Sequence, residues 1–227
     1  TESLDSILAK SDMAMYYAKT HGKSQFIVFN DIAQSVFSEI EMEKSQQSSF
    51  DHNEFEIRYL PVISAQTSQL SLSQVRLFWN MSNGTIKSQD EFIPLFEKNG
   101  FIRQLDFWVI QSVFIHLRYY HEHYSHNGKI GLRISRLTLL DSDLPRLLTE
   151  YMQTYGISPS ELDFEIDEAY FVRGTSEILK PMEILRKMGI GISIMGVGSN
   201  FRSLAYWDKL MFDSIILDAE YLKNTLN

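Results

Sequence analysis

Four histidines, His116, His121, His123 and His126, fall within eleven positions of one another beside Tyr119, Tyr120 and Tyr124. Imidazoles at such spacing invite a metal reading, but a metal needs a facing further ligand and fixed geometry. On a helix end and its loop a solvated cluster is favoured. Asp163, Glu165, Asp167 and Glu168 form an acidic run that could hold calcium. Alternation along a strand, however, sends the odd positions to one face and leaves too few convergent oxygens. Gly189, Gly191, Gly196 and Gly198 echo a phosphate loop, yet they bracket an apolar strand instead of linking strand to helix, which favours turn and packing roles.

The elements that must position such residues emerge after residue 53. Apolar runs flanked by Gly, Ser, Asn or Pro predict strands at 55–63, 69–78, 129–135, 162–166, 191–197 and 213–218. Apolar residues at three- and four-residue spacing predict helices at 103–124, 144–156, 174–188 and 203–211; Leu105, Val109, Ile110, Val113 and Leu117 share a face of the first. Repeated strand-helix alternation implies α/β class with a parallel sheet and helices outside it, an α/β barrel that has lost its end. The first two strands are joined by a turn too short for a parallel crossover and must be antiparallel. Residues 31–52 read as a polar connector carrying Ile32, Val36, Phe37, Ile40 and Met42 at helical spacing, ending in a flexible Ser45-Gln46-Gln47-Ser48-Ser49.

Composition narrows the classes. The 227 residues hold one large domain plus an appendage, and 44% hydrophobic content suffices for a packed core. A formal charge of -8 argues against a general nucleic-acid binder, which needs clustered Lys and Arg. The absence of Cys excludes a disulfide framework or thiolate metal site and fits a reducing cytoplasm. No stretch approaches eighteen apolar residues and no charged-then-apolar leader opens the chain, so the expectation is a cytoplasmic protein, or the cytoplasmic part of a membrane-anchored one. Both ends read as cut, since the chain starts without Met and stops in a helix-like stretch without a cap.

Residues 55–63, 91–100, 162–168 and 213–218, in that order along the chain, together resemble the EAL family of cyclic-di-GMP phosphodiesterases. Phe55-Glu56-Ile57-Arg58-Tyr59-Leu60-Pro61-Val62-Ile63 looks like its opening strand, and residues 91–100, Glu91 to Gly100, resemble its "EFIPxxExxG" helix start. Leu162 to Glu168 is similar to "LELEITE", and Asp213 to Asp218 to "DxLKID". Upstream, Leu8 to Lys19 followed by Gly22-Lys23-Ser24-Gln25-Phe26 looks like the last helix and strand of a GGDEF (diguanylate cyclase) domain, with Lys19 and Lys23 where that family holds phosphate. The resemblance implies a GGDEF-like tail at 1–30, a linker or signalling helix at 31–52, and an EAL-type TIM-like barrel at 53–227, incomplete at its C-terminus and with an antiparallel first strand.

The same resemblance assigns the site. An EAL enzyme holds two divalent ions through oxygen ligands at strand ends. The motif Glu corresponds to Gln74 in Gln74-Val75-Arg76, the Asn of "VNxS" to Arg133, the paired acids of "DDFGTG" to Met195 and Gly196, and the Lys of "KID" to Ile216. Glu165 and Asp218 remain. The nucleotide-contacting Gln of "YQP" becomes Leu60 and the Arg of "LLRW" becomes Phe78. Arg133 is expected either to bridge Glu165 and Asp218 in place of metal or to point to solvent. Tyr206, Trp207 and Phe212 are candidate interface residues, or else the apolar face of a barrel helix. These readings imply a catalytically inactive regulatory module without metal or cofactor, acting through a protein partner or homodimer in cyclic-di-GMP-linked signalling. A receptor that binds cyclic di-GMP without cleaving it is the alternative, and an active phosphodiesterase the second.

Overall fold

Strand β5 (Leu162–Asp167) shows how this sequence builds its sheet. Leu162, Phe164 and Ile166 alternate with Asp163, Glu165 and Asp167, so one face is apolar and the other acidic. The apolar three are fully buried. The neighbouring strands repeat the pattern. In β4 (Ile130–Arg133), Ile130 and Leu132 are buried and alternate with Gly131 and Arg133; in β6 (Gly191–Val197), Ile192 and Ile194 alternate with Gly191, Ser193 and Met195. Parallel strands covered on both faces usually read as unbroken apolar runs. The polar alternate face marks this sheet as lining something other than a dry core.

The computed structural model describes residues 3–20, 34–124, 128–172, 175–198 and 211–218. Among them the sheet has seven strands, in the order β1 (Phe55–Ile63), β2 (Leu70–Asn80), β4, β5, β6 and β7 (Ser214–Leu217), with β3 (Ile86–Ser88) beside β2. The pairs β2/β4, β4/β5, β5/β6 and β6/β7 are parallel. Strand β1 (Phe55–Ile63) connects to β2 (Leu70–Asn80) through a turn closed by Ser64 N–H to the Gln69 carbonyl, with Ser68 at positive φ. All six expected strands are present. The seventh, β3 (Ile86–Ser88), pairs antiparallel with β2 and is too short and polar to register as a pattern.

Helices α1 (Leu4–Thr20), α2 (Gln34–Ser49), α3 (Gln89–Asn99), α4 (Ile102–His123), α5 (Arg136–Leu139), α6 (Leu144–Tyr155), α7 (Ala169–Val172) and α8 (Thr175–Lys187) complete the described elements. In α4 the predicted stripe is the buried one, joined by Phe114. Helix α6 starts with Pro145 in its first turn and stops at Gly156, whose left-handed conformation lets its N–H reach the Met152 carbonyl. The segment 45–49 is not the flexible stretch expected. It is the end of α2, where Ser48 and Ser49 hydroxyls donate back to the carbonyls of Ser45 and Gln46 at 3.1 and 2.6 Å. The expected helix at 203–211, and the strand after Gly22, lie essentially outside the described residues.

The chain divides into two compact units, residues 1–56 with 78–95 and residues 57–77 with 96–227. The first contains a cluster of Phe55, Trp79 and Phe92 with ring centroids 5.5 to 6.0 Å apart. Its buried Glu54 accepts the Trp79 indole N–H at 2.8 Å and the Ser82 hydroxyl. Those bonds and the nearby His52 hold Glu54 below the usual carboxylate range although burial pushes it up. The second unit contains the polar sheet face.

Candidate functional site

The parallel strands of the second unit end on the same side, and their alternate-face residues come together there. Register pairs Arg133 with Glu165, Asp167 with Met195, and Met195 with Ile216. Gln74 pairs with Gly131 one step below.

At the centre, Glu165 is 1% exposed and its Oε1 accepts the Gln74 amide Nε2 at 2.7 Å. Gln74 Oε1 in turn accepts Arg76 Nη2 at 3.2 Å. Only this orientation of the amide satisfies both neighbours, since a carboxylate accepts and a guanidinium donates. Burial raises the Glu165 carboxyl above its ordinary range; the Gln74 bond and the Arg76 charge oppose that, Asp163 adds to it, and Arg133 opposes it. Gly131 makes the arrangement possible. A β-carbon there would lie 2.6 Å from Glu165 Oε1.

Arg133 does not bridge Glu165 and Asp218. Its Nη2 lies 3.3 Å from Asp167 and 3.6 Å from Glu97, and Tyr170 donates its hydroxyl to Glu97 at 2.5 Å. The guanidinium is neither solvent-directed nor a stand-in for metal between those two acids. It ties α3, β4, β5 and α7 together, because Asp167 sits one residue pair further along the strand and Glu97 approaches from a helix. Burial works against the charged guanidinium, but Tyr170, Asp167 and Glu97 hold its pKa above the ordinary value.

Beneath this layer a polar ladder runs from Lys129, just before β4, across β5, β6 and β7. Lys129 Nζ meets Asp163 Oδ2 at 2.7 Å, Ser193 donates to Asp163 Oδ1, and Ser193 and Ser214 hydroxyls lie 2.6 Å apart. Gly191 leaves room for it: a β-carbon there would come within 2.5 Å of Lys129 Nζ and 2.6 Å of Asp163 Oδ2. The acids of β5 therefore each have their own partner and form no calcium site.

Met195 is half-buried, and Gly196 sits at φ 74° where β6 slips register against β7 (Ser214–Leu217), a bulge that lets Asp218 N–H reach the Val197 carbonyl at 3.0 Å. Ile216 is half-buried beside Met195. Leu60 is 49% exposed on β1; Phe78 belongs to the first unit. Tyr206 and Trp207 lie outside the described residues, and Phe212 is half-buried. Each described histidine of the cluster is held by protein: His116 Nδ1 by the Tyr59 hydroxyl at 2.8 Å, His121 by Glu161 at 2.6 Å, and His123 by the Tyr119 carbonyl at 2.8 Å.

Sequence reasoning missed Arg76, Glu97, Tyr170 and Lys129. The signal for Arg76 was available, since it is two residues from Gln74 and so on the same strand face.

Among the described residues no three His, Cys, Asp or Glu side chains converge as a metal-holding group. With Gln74 Nε2 turned to Glu165 and Arg133 inserted between Asp167 and Glu97, the described donors do not fit a divalent pair.

Residues 43–227 match the EAL domain family. The chain is 26% identical to the Biofilm architecture maintenance protein MbaA of Vibrio cholerae, covering all of this chain and 29% of that protein. It is 22% identical to the Cyclic di-GMP phosphodiesterase NbdA of Pseudomonas aeruginosa, covering 97% of this chain and 28% of that one. This chain thus spans less than a third of these relatives. Among solved structures, the MucR phosphodiesterase in complex with c-di-GMP superposes with a TM-score of 0.75 at 22% identity, over 82% of this chain and 76% of that one. These findings correct the expectation of a catalytically inactive module working through protein contacts. A relative named as a phosphodiesterase aligns along 97% of this chain, so inactivity does not follow from the substituted positions alone. The seven-stranded mixed sheet, the strand-end site and the match over residues 43–227 agree: the chain belongs to the EAL domain family.

Proposed function

We propose that this chain is a cyclic-di-GMP-binding EAL module, with the ligand held at the C-terminal ends of β2, β4, β5, β6 and β7. The observation that carries the reading is the Gln74–Glu165 pair, buried at those strand ends and backed by the guanidinium of Arg76. Ligands of parallel α/β sheets bind outside the carboxyl ends of the strands, and the solved MucR structure is named as a c-di-GMP complex. A second reading, hydrolysis of the same ligand, is favoured by the names of NbdA and MucR. Residues 53–227 form the barrel-type module in this reading, α2 within residues 31–52 is the signalling connector, and α1 belongs to a GGDEF-like tail at 1–30.

Calorimetric titration of cyclic di-GMP with magnesium or manganese present, followed by chromatography of the nucleotide, tests both readings. Binding with intact nucleotide supports a receptor, and binding with linear product supports the phosphodiesterase. No heat up to millimolar nucleotide would overturn the proposal. A homodimer through Tyr206, Trp207 and Phe212 is proposed alongside; an unchanged sedimentation coefficient for Trp207→Ala across a concentration series would remove it.

A further inference from the structure

We infer that Arg76 is the phosphate anchor of this site, gripping a phosphodiester through the part of its guanidinium fork that the protein leaves open. This rests on the cyclic-di-GMP reading and specifies how the nucleotide is held.

Among the described residues, arginine side chains are paired almost as a rule. Arg103, Arg118, Arg133, Arg136, Arg146 and Arg186 each have a carboxylate partner. Arg76 has none within ion-pair distance among the described residues. Its hydrogen bond goes instead to a neutral oxygen, that of Gln74, at 3.2 Å through Nη2. A half-buried guanidinium costs solvation free energy, and a carboxylate partner is the usual offset. Glu165, an acid whose charge Arg76 feels, has its Oε1 committed to Gln74.

Position supports the same conclusion. Gln74 and Arg76 are alternate residues of β2 and share the polar face, so the guanidinium lies one step nearer the C-terminal strand end than the buried pair. Arg76 is half-buried, and its side-chain hydrogen bond within the protein uses Nη2. The Gln74 amide, itself fixed by Glu165, holds Nη2 in place and pre-orients the planar fork. Guanidinium is the group best matched to two phosphate oxygens at once. Arg133 cannot take the part, because its charge is already shared between Asp167 and Glu97.

The test uses the full chain, with Arg76→Gln and Arg76→Lys. Wild type should bind cyclic di-GMP, Arg76→Gln about 10- to 100-fold more weakly, and Arg76→Lys in between, since lysine keeps charge but loses the fork. Thermal melts confirm that the variants fold. The Arg76 Nε–H NMR resonance should move on adding cyclic di-GMP and, more weakly, inorganic phosphate. Wild-type binding that Arg76→Gln leaves within twofold would overturn the inference while leaving the function reading intact. If wild type ignores cyclic di-GMP yet phosphate still shifts the Arg76 resonance, the anchor stands and the nucleotide reading falls. No response to either ligand overturns both.

Discussion

At the scale of single residues, two carboxyl groups carry charge into places that resist it. Glu165 tolerates burial because Gln74 donates to it at 2.7 Å. Replacing Gln74 by Glu exchanges that donor for a second carboxylate in the same space, and two such groups share one proton. Gln74→Glu should lower stability at pH 8 by about 1–3 kcal/mol, with recovery as pH falls toward 5; chemical denaturation across pH measures it. The sign follows from a folded pKa raised above the unfolded one, where stability is lost as pH rises. Asp106 obeys the same logic. Its Oδ2 accepts the Ser135 backbone N–H at 3.0 Å, yet burial pushes the carboxyl from 3.8 up to about 6 against that bond, the Thr138 bond and the Arg133 charge. Its contribution is therefore greatest below pH 4 and declines by on the order of 3 kcal/mol as pH climbs to about 6. Asp106→Asn keeps an acceptor for Ser135 and should flatten that part of the pH profile. An unchanged profile would place the titration elsewhere.

At the scale of elements, glycines in β4 and β6 decide what the polar face can hold. Gly131→Ala should push Glu165 off Gln74 and destabilise the protein by about 1–3 kcal/mol, while the same change made on Glu165→Ala should cost much less. A double-mutant cycle by denaturant melts measures that coupling. In α4, Leu105 is fully buried on the stripe facing the core, and Leu105→Ala should cost about 2–5 kcal/mol by the same melts. That stripe was legible in the sequence because its period repeats over 22 residues. The three-residue β3 and the four-residue α5 and α7 were not, since so few positions establish no period. The site was legible in the same uneven way. Gln74, Glu165 and Arg133 could be placed at strand ends from the strand pattern and the resemblance. Which acid Arg133 chooses depends on Glu97 and Tyr170, 36 and 37 residues away in sequence, and on how far each side chain reaches. The bulge at Gly196 likewise arises from pairing with β7 and leaves no local trace.

At the scale of the whole molecule, ligand binding and net charge act on every element together. If the strand-end site binds cyclic di-GMP, nucleotide at 100 times its Kd should stabilise the fold by about 2.7 kcal/mol, a rise in Tm of roughly 5–10 °C for a chain of this size; differential scanning fluorimetry reads it. With a formal charge of -8 and a pI near 5.3, solubility should be least near that pH, so the acid-side melts above need added salt or dilute protein. The ladder from Lys129 through Asp163 and Ser193 to Ser214 has a further consequence, for ancestry and engineering. It works as a combination lock: a parallel strand slipped by one residue would turn Asp163 into the apolar layer and leave Lys129 facing Leu or Phe. Gene shuffling among relatives should therefore yield folded offspring when crossovers keep residues 129–214 from one parent, and few when a breakpoint parts Lys129 from Asp163 or Asp163 from Ser193.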